Sequence, residues 1–167
     1  MVEFSARSTA LLGDSLDMFA DAAVYGLSLY VINLGPSWTA RASLAKGVLM
    51  ALLGGGVLTT AIYNAVTQVV PDAPTMGAIG LVALAANVAC LALLFRRRQD
   101  DINMRSSWIC SRNDIIANIS VIAAAAVVGI SGSRWPDIFV GVAIATLFLS
   151  SARGVLRDGL LALKHAN

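Results

Sequence analysis

The chain has 167 residues, of which 57% are hydrophobic and 13% charged, with a formal net charge of +2. A water-soluble domain carries about 25% charged residues, so this chain cannot cover a water-facing surface, and a soluble globular fold is excluded. Its two cysteines, Cys90 and Cys110, lie in or at the edge of apolar runs, which excludes a secreted disulfide scaffold.

Five apolar stretches approach the roughly 20 residues needed to cross a hydrocarbon core. They run near 9–34, 43–70, 75–95, 107–131 and 136–156. The expected fold is all-α: a polytopic transmembrane helical bundle of about five spans, forming one domain over 1–167 with a short amphipathic tail after Arg157. Ahead of the first span, Glu3 lies where a signal peptide would need basic residues, so no cleavable leader is expected.

The first span contains Asp14, Asp17 and Asp21. A helix turns about 100° per residue, so these three share one face, which Tyr25 and Ser28 extend. An acid at a helix centre in lipid costs at least about 2.5–3.5 kcal/mol and by default marks a functional site. The second span holds Gly54-Gly55-Gly56, expected to allow close helix approach or a kink. Asn64 on the second span and Asn87 on the third are expected to make interhelical packing contacts, and Cys90 to be a small packing residue. Trp38, Trp108 and Trp135 fall near span ends, as interfacial anchors do.

The fourth span opens with Cys110-Ser111-Arg112-Asn113-Asp114, followed by Asn118. Cys110, Asp114 and Asn118 are spaced i, i+4, i+8 and share a face. Two helices would thus each present a pair of ligands one turn apart, Asp17 with Asp21 and Cys110 with Asp114. Three carboxylates and one thiolate suit a tetrahedral Zn²⁺, and the sulfur favours a borderline or soft ion over Mg²⁺ or Ca²⁺. Asp14 and Asn118 are possible accessory residues. Carboxylates crowded in low dielectric hold protons when empty, and a metal must displace them, so metal–proton exchange follows from such a site. His165, the lone histidine, sits in the tail and is not expected to be a ligand.

Lys and Arg are retained on the cytoplasmic side of a membrane. The connector at 35–46 holds Arg41 and Lys46. The one at 96–106 holds Arg96, Arg97, Arg98 and Arg105, with Arg112 just inside the next helix. The tail has Arg153, Arg157 and Lys164. Ten of the twelve basic residues therefore share one side, which is read as cytoplasmic and places the C-terminus there. The N-terminus then lies outside, an arrangement from which either the loss of a preceding helix or a translation start upstream is expected.

Leu11-Leu12-Gly13-Asp14-Ser15-Leu16-Asp17-Met18-Phe19-Ala20-Asp21 resembles the second transmembrane helix of the cation diffusion facilitator family, where an (H/D)-x-x-x-D pair follows an Ala-Asp-Ser-like lead. Asp17 and Asp21 match the pair, and Asp14 matches the acid of the lead. Cys110-x-x-x-Asp114 stands where the family's fifth helix carries its second such pair, with Cys110 in place of the usual His or Asp. The five spans correspond to family helices two to six. The first helix, except for a Val2-Glu3-Phe4 remnant, and the C-terminal soluble domain have no counterpart here.

The resemblance implies a divalent metal transporter subunit: proton-coupled efflux of Zn²⁺, or of Co²⁺ or Cd²⁺, by alternating access from a homodimer in a bacterial-type inner membrane. The metal would be the transported ion and not a cofactor. An alternative is a non-transporting truncated homologue that binds metal, or that pairs with and regulates a full-length transporter. A third reading is a packing module whose acids pair with Arg7 or Arg112. No nucleotide loop, catalytic triad or cofactor motif is present, so no enzymatic activity and no nucleic-acid partner are expected.

Overall fold

The computed structural model describes Gly26, Tyr30, Val31 and residues 34–68, 70 and 72–166. The described residues form α1 (Pro36–Thr67), α2 (Ala73–Leu94), a short 3-10 turn (Phe95–Arg97), α3 (Ile102–Ser131) and α4 (Trp135–Ala166), with no strand among them. All four helices are long and apolar enough to cross a membrane. The expected span at 9–34 lies outside the described residues apart from a few positions.

Local chemistry sets the helix ends. Pro36 opens α1, where its missing N–H and fixed φ cost nothing. The Asp72 carboxylate caps α2 by accepting from Thr75 N at 3.2 Å and from the Thr75 hydroxyl. The Asp101 carboxylate accepts from Met104 N at 2.8 Å and starts α3 in the same way. Gly132, at φ 62°, ends α3 by donating its N–H to the Val128 carbonyl at 2.8 Å, a left-handed turn that favours glycine. Asp137 in the first turn of α4 and Lys164 and His165 in its last complement the helix dipole.

These caps lie outside the apolar stretches, so three helices outrun the spans expected from hydropathy. α1 begins at Pro36 rather than near 43, α3 at Ile102 rather than near 107, and α4 continues through the expected tail to Ala166. Hydropathy reports the length wetted by lipid, whereas capping decides where the helix stops. At 32 residues, α1 and α4 are each about 48 Å long, against a core of about 30 Å.

α1 packs antiparallel along α4, and α2 along α3, through small residues. The Cβ that Gly54 lacks would lie 3.1 Å from Phe148 Cβ and 3.3 Å from the Ala145 carbonyl, and one on Gly80 would lie 2.9 Å from Ile122 Cγ1. Close backbone approach of this kind holds helices together in lipid, where no hydrophobic force drives them together. Gly55 and Gly56 face open space. Thr59 and Thr60 donate to their carbonyls at 2.8 and 3.1 Å, and the helix continues through the triplet. Asn64 Nδ2 donates across to Asp137 Oδ2 at 3.3 Å, so its side chain joins α1 to α4, whereas at Asn87 it is the backbone carbonyl that accepts from Ser111 Oγ of α3 at 3.4 Å. Outward-facing apolar side chains such as Ile130 (89% exposed) and Leu93 (80%) suit lipid rather than water.

Candidate metal centre

α3 carries an unusual load of polar residues for an apolar helix. Asn103, Ser107, Cys110 and Asp114 are separated by four, three and four positions, which aligns them on one face, and all four are buried. A polar stripe on a helix in lipid has to turn inward, because each group facing hydrocarbon would cost several kcal/mol. Asp101, by capping the helix at its first turn, fixes the register of this stripe.

Cys110 and Asp114 come together as their spacing predicts. The thiol donates to the carboxyl group, with Sγ 3.8 Å from Asp114 Oδ2, and both residues are buried. A thiolate and a carboxylate one turn apart can both reach a single ion from one helix. Met50 of α1 and Ala152 and Val155 of α4 pack with Cys110 in a buried apolar cluster, a low-dielectric setting that strengthens any electrostatic contact made there. Asn118, the possible accessory residue, is half-buried, and its Nδ2 has no hydrogen-bond partner among the described residues.

Asp14, Asp17 and Asp21 lie outside the described residues, so the other half of the expected ligand set has no geometry to report. Among the described residues no third His, Cys, Asp or Glu joins Cys110 and Asp114. The remaining expectations sort by exposure. His165 is exposed near the end of α4, and Cys90 is half-buried on α2. Arg112 is exposed while Asp114 is buried, and two residues of helix place them about 200° apart. That geometry turns Arg112 away from Asp114, while Arg7 and the acids of the first span lie outside the described residues.

Two residues escaped the sequence reading. Lys46, counted there as a connector charge, lies within α1 and is 1% exposed. Its Nζ donates to the Asn103 carbonyl at 2.9 Å, to Asn103 Oδ1, and to Ser107 Oγ at 2.5 Å. The available signal was the three-residue spacing from Ser43, which puts both on one helix face. Asn113 has no exposed surface, and neither atom of its amide has a partner among the described residues. It stood inside the Cys110–Asp114 motif, but its direction depends on neighbouring helices that sequence does not supply.

The sequence also has relatives. It is 27% identical over 174 aligned residues to a cadmium, cobalt and zinc/H⁺–K⁺ antiporter of Bacillus velezensis, an alignment covering 94% of this chain and 55% of that protein. The chain thus spans about half the length of the curated relative it matches. The cation efflux transmembrane domain matches residues 1–163, almost the entire chain. With four helices fit to span a bilayer among its described residues and this match along its length, the chain is an integral membrane protein that belongs to the cation diffusion facilitator family.

Proposed function

We propose that the chain is a subunit of a divalent metal cation transporter that exports Zn²⁺, or the similar ions Co²⁺ and Cd²⁺, in exchange for protons. The observation that carries this reading is the buried Cys110–Asp114 pair, one turn apart on a helix of a cation efflux domain. Asp17 and Asp21 complete the ion site from the first span, giving five spans that correspond to family helices two to six. The relative's name supports the choice of ions and of proton exchange. The ion displaces protons from the acids on entering, and the acids take up protons when it leaves. The subunit works by alternating access as a homodimer in a bacterial inner membrane, with its C-terminus in the cytoplasm.

Calorimetry of Zn²⁺ and Cd²⁺ with the detergent-purified chain tests this, beside Asp21→Ala and Asp114→Ala. The expected result is about one ion per chain, with protons released on binding. Removing one ligand from a shared site should weaken affinity by at least about tenfold in each variant. An intact chain that binds neither ion would overturn the proposal. An ion bound but not moved across vesicles would leave a metal-binding partner protein instead.

A further inference from the structure

The connector between α2 and α3 forms an open cleft that the metal centre does not use. Arg98, Gln99, Asp101, Ile102, Arg105 and Trp108 line a cavity of about 620 Å³. A smaller one of about 220 Å³ shares Arg98 and Gln99 with it and adds Phe95 and Arg96. Residues 96–105 carry four arginines against Asp100 and Asp101, so the connector is net positive. The Asp101 carboxylate is engaged with Met104 N at the start of α3, and Asp158 lies against Arg105. Among the described residues no carboxylate pairs with Arg96 or Arg98.

Arg98 is held in place by its neighbours. Its guanidinium lies 3.9 Å from the centre of the Phe95 ring and 5.5 Å from that of Trp108, and Nη1 donates to the Phe95 carbonyl at 2.6 Å. The two rings meet edge to face with centres 5.7 Å apart, which ties the connector to α3. A guanidinium has five N–H donors, so one carbonyl leaves most of them for a further acceptor. Its planar fork matches two oxygens of a phosphate, and a fork already fixed costs little more to order on binding.

Apolar side chains continue outward from the cleft. Phe95 and, in the last turn of α2, Leu93 are exposed, and Ile102 is half-buried. A free phosphate ion gains nothing from them, whereas a phospholipid carries acyl chains that cover them. We propose that the cleft binds the phosphate headgroup of an anionic phospholipid, with Arg96 and Arg98 on the phosphate and the acyl chains against Phe95 and Leu93. Basic pockets at the membrane surface take anionic headgroups in this way. The lipid lies against the first two turns of α3, the helix that carries Cys110 and Asp114. The proposal needs a membrane but no transport, so it stands apart from the function proposed above.

Trp108, on the cleft, reports the occupant. With Trp38→Phe and Trp135→Phe it is the sole tryptophan of the full chain. The protein is reconstituted in phosphatidylcholine vesicles, and quenching is titrated with phosphatidylglycerol brominated high in its acyl chains and with phosphatidylcholine brominated alike. The ratio of the two affinities is the readout. Phosphatidylglycerol should be preferred by at least about fivefold, and Arg98→Gln should lower that preference about fivefold. Arg153→Gln, which removes an exposed charge of α4 at the same end, should leave it near the parent value. A parent without preference, an unchanged ratio in Arg98→Gln, or equal losses in both variants would each overturn the site, the last by showing a diffuse positive field. Should Arg98→Gln not fold, Arg96→Gln, on an exposed side chain of the same cleft, carries the same expectation and the same power to refute. Inorganic phosphate, set against chloride at equal ionic strength, should leave the preference intact. Phosphate that abolishes it makes the occupant a free anion and overturns the lipid.

Discussion

At Asn113 the fold accepts a polar amide with no exposed surface and no hydrogen-bond partner among the described residues. A buried group left in that state costs about 1–3 kcal/mol, whereas an apolar side chain of similar volume carries no such penalty. Asn113→Leu is therefore expected to stabilise the metal-free protein by about 1 kcal/mol, seen as a higher unfolding temperature in detergent. A lower temperature would show that the amide is paired in the folded protein. The neighbouring Cys110–Asp114 contact was legible in the sequence because four-residue spacing on a helix fixes proximity whatever the surroundings are. Lys46 and Asn113 were not legible, because their meaning lies in what α1 and α3 present to each other. Lys46 was counted as a charge of the connector at 35–46, since it stands at the edge of an apolar run, yet its acceptors are 57 and 61 residues away in sequence.

At the scale of the helices, the glycine triplet divides by direction. Gly54 meets Phe148, Leu149 and the Ala145 backbone of α4, while Gly55 and Gly56 meet nothing within 4 Å. Gly54→Val forces the α1–α4 pair apart and is expected to cost about 1–3 kcal/mol. Gly55→Ala adds a methyl to open space in mid-helix, where replacing glycine with alanine is worth about 0.5–1 kcal/mol, and should stabilise. Thermal unfolding of both variants in one detergent checks the contrast, and equal effects of the same sign would contradict the packing of α1 on α4. The triplet itself was visible in the sequence as a place for close approach. Which of its glycines makes the contact was not, because a 100° turn per residue sends three neighbours in three directions. The number and order of helices after residue 34 were legible from apolar length, but their ends were not, since Pro36 and Asp101 place them outside the apolar runs.

Over the whole molecule, four antiparallel helices gather the basic residues at one end. Lys46 touching Asn103 and Ser107, Arg105 lying 3.7 Å from Asp158, and Leu44 packing where a Cβ on Gly159 would sit join the start of α1, the start of α3 and the end of α4. Arg41, Arg96, Arg153, Arg157 and Lys164 are exposed on these same helix ends. Arg98 adds to them, its guanidinium 3.9 Å from the Phe95 ring and 5.5 Å from that of Trp108, an aromatic and cationic surface suited to the headgroup layer. At the opposite end Arg134 stands with Trp135. Basic residues near span ends set orientation, and acidic ones contribute little, so the basic end should face the cytoplasm in the proposed topology. Cysteines added one at a time at Ser37, Gln99 and Lys164 to a Cys90→Ser background, in which the buried Cys110 is the one native thiol left, should therefore share one labelling pattern with a membrane-impermeant maleimide. They should resist it in intact cells and react in inside-out vesicles. Ser131→Cys should do the reverse. Cysteines at Ser37 and Lys164 that label from opposite sides would break the antiparallel pairing of α1 with α4. All four sites reversed together would keep the fold and invert the proposed direction of the subunit in its membrane.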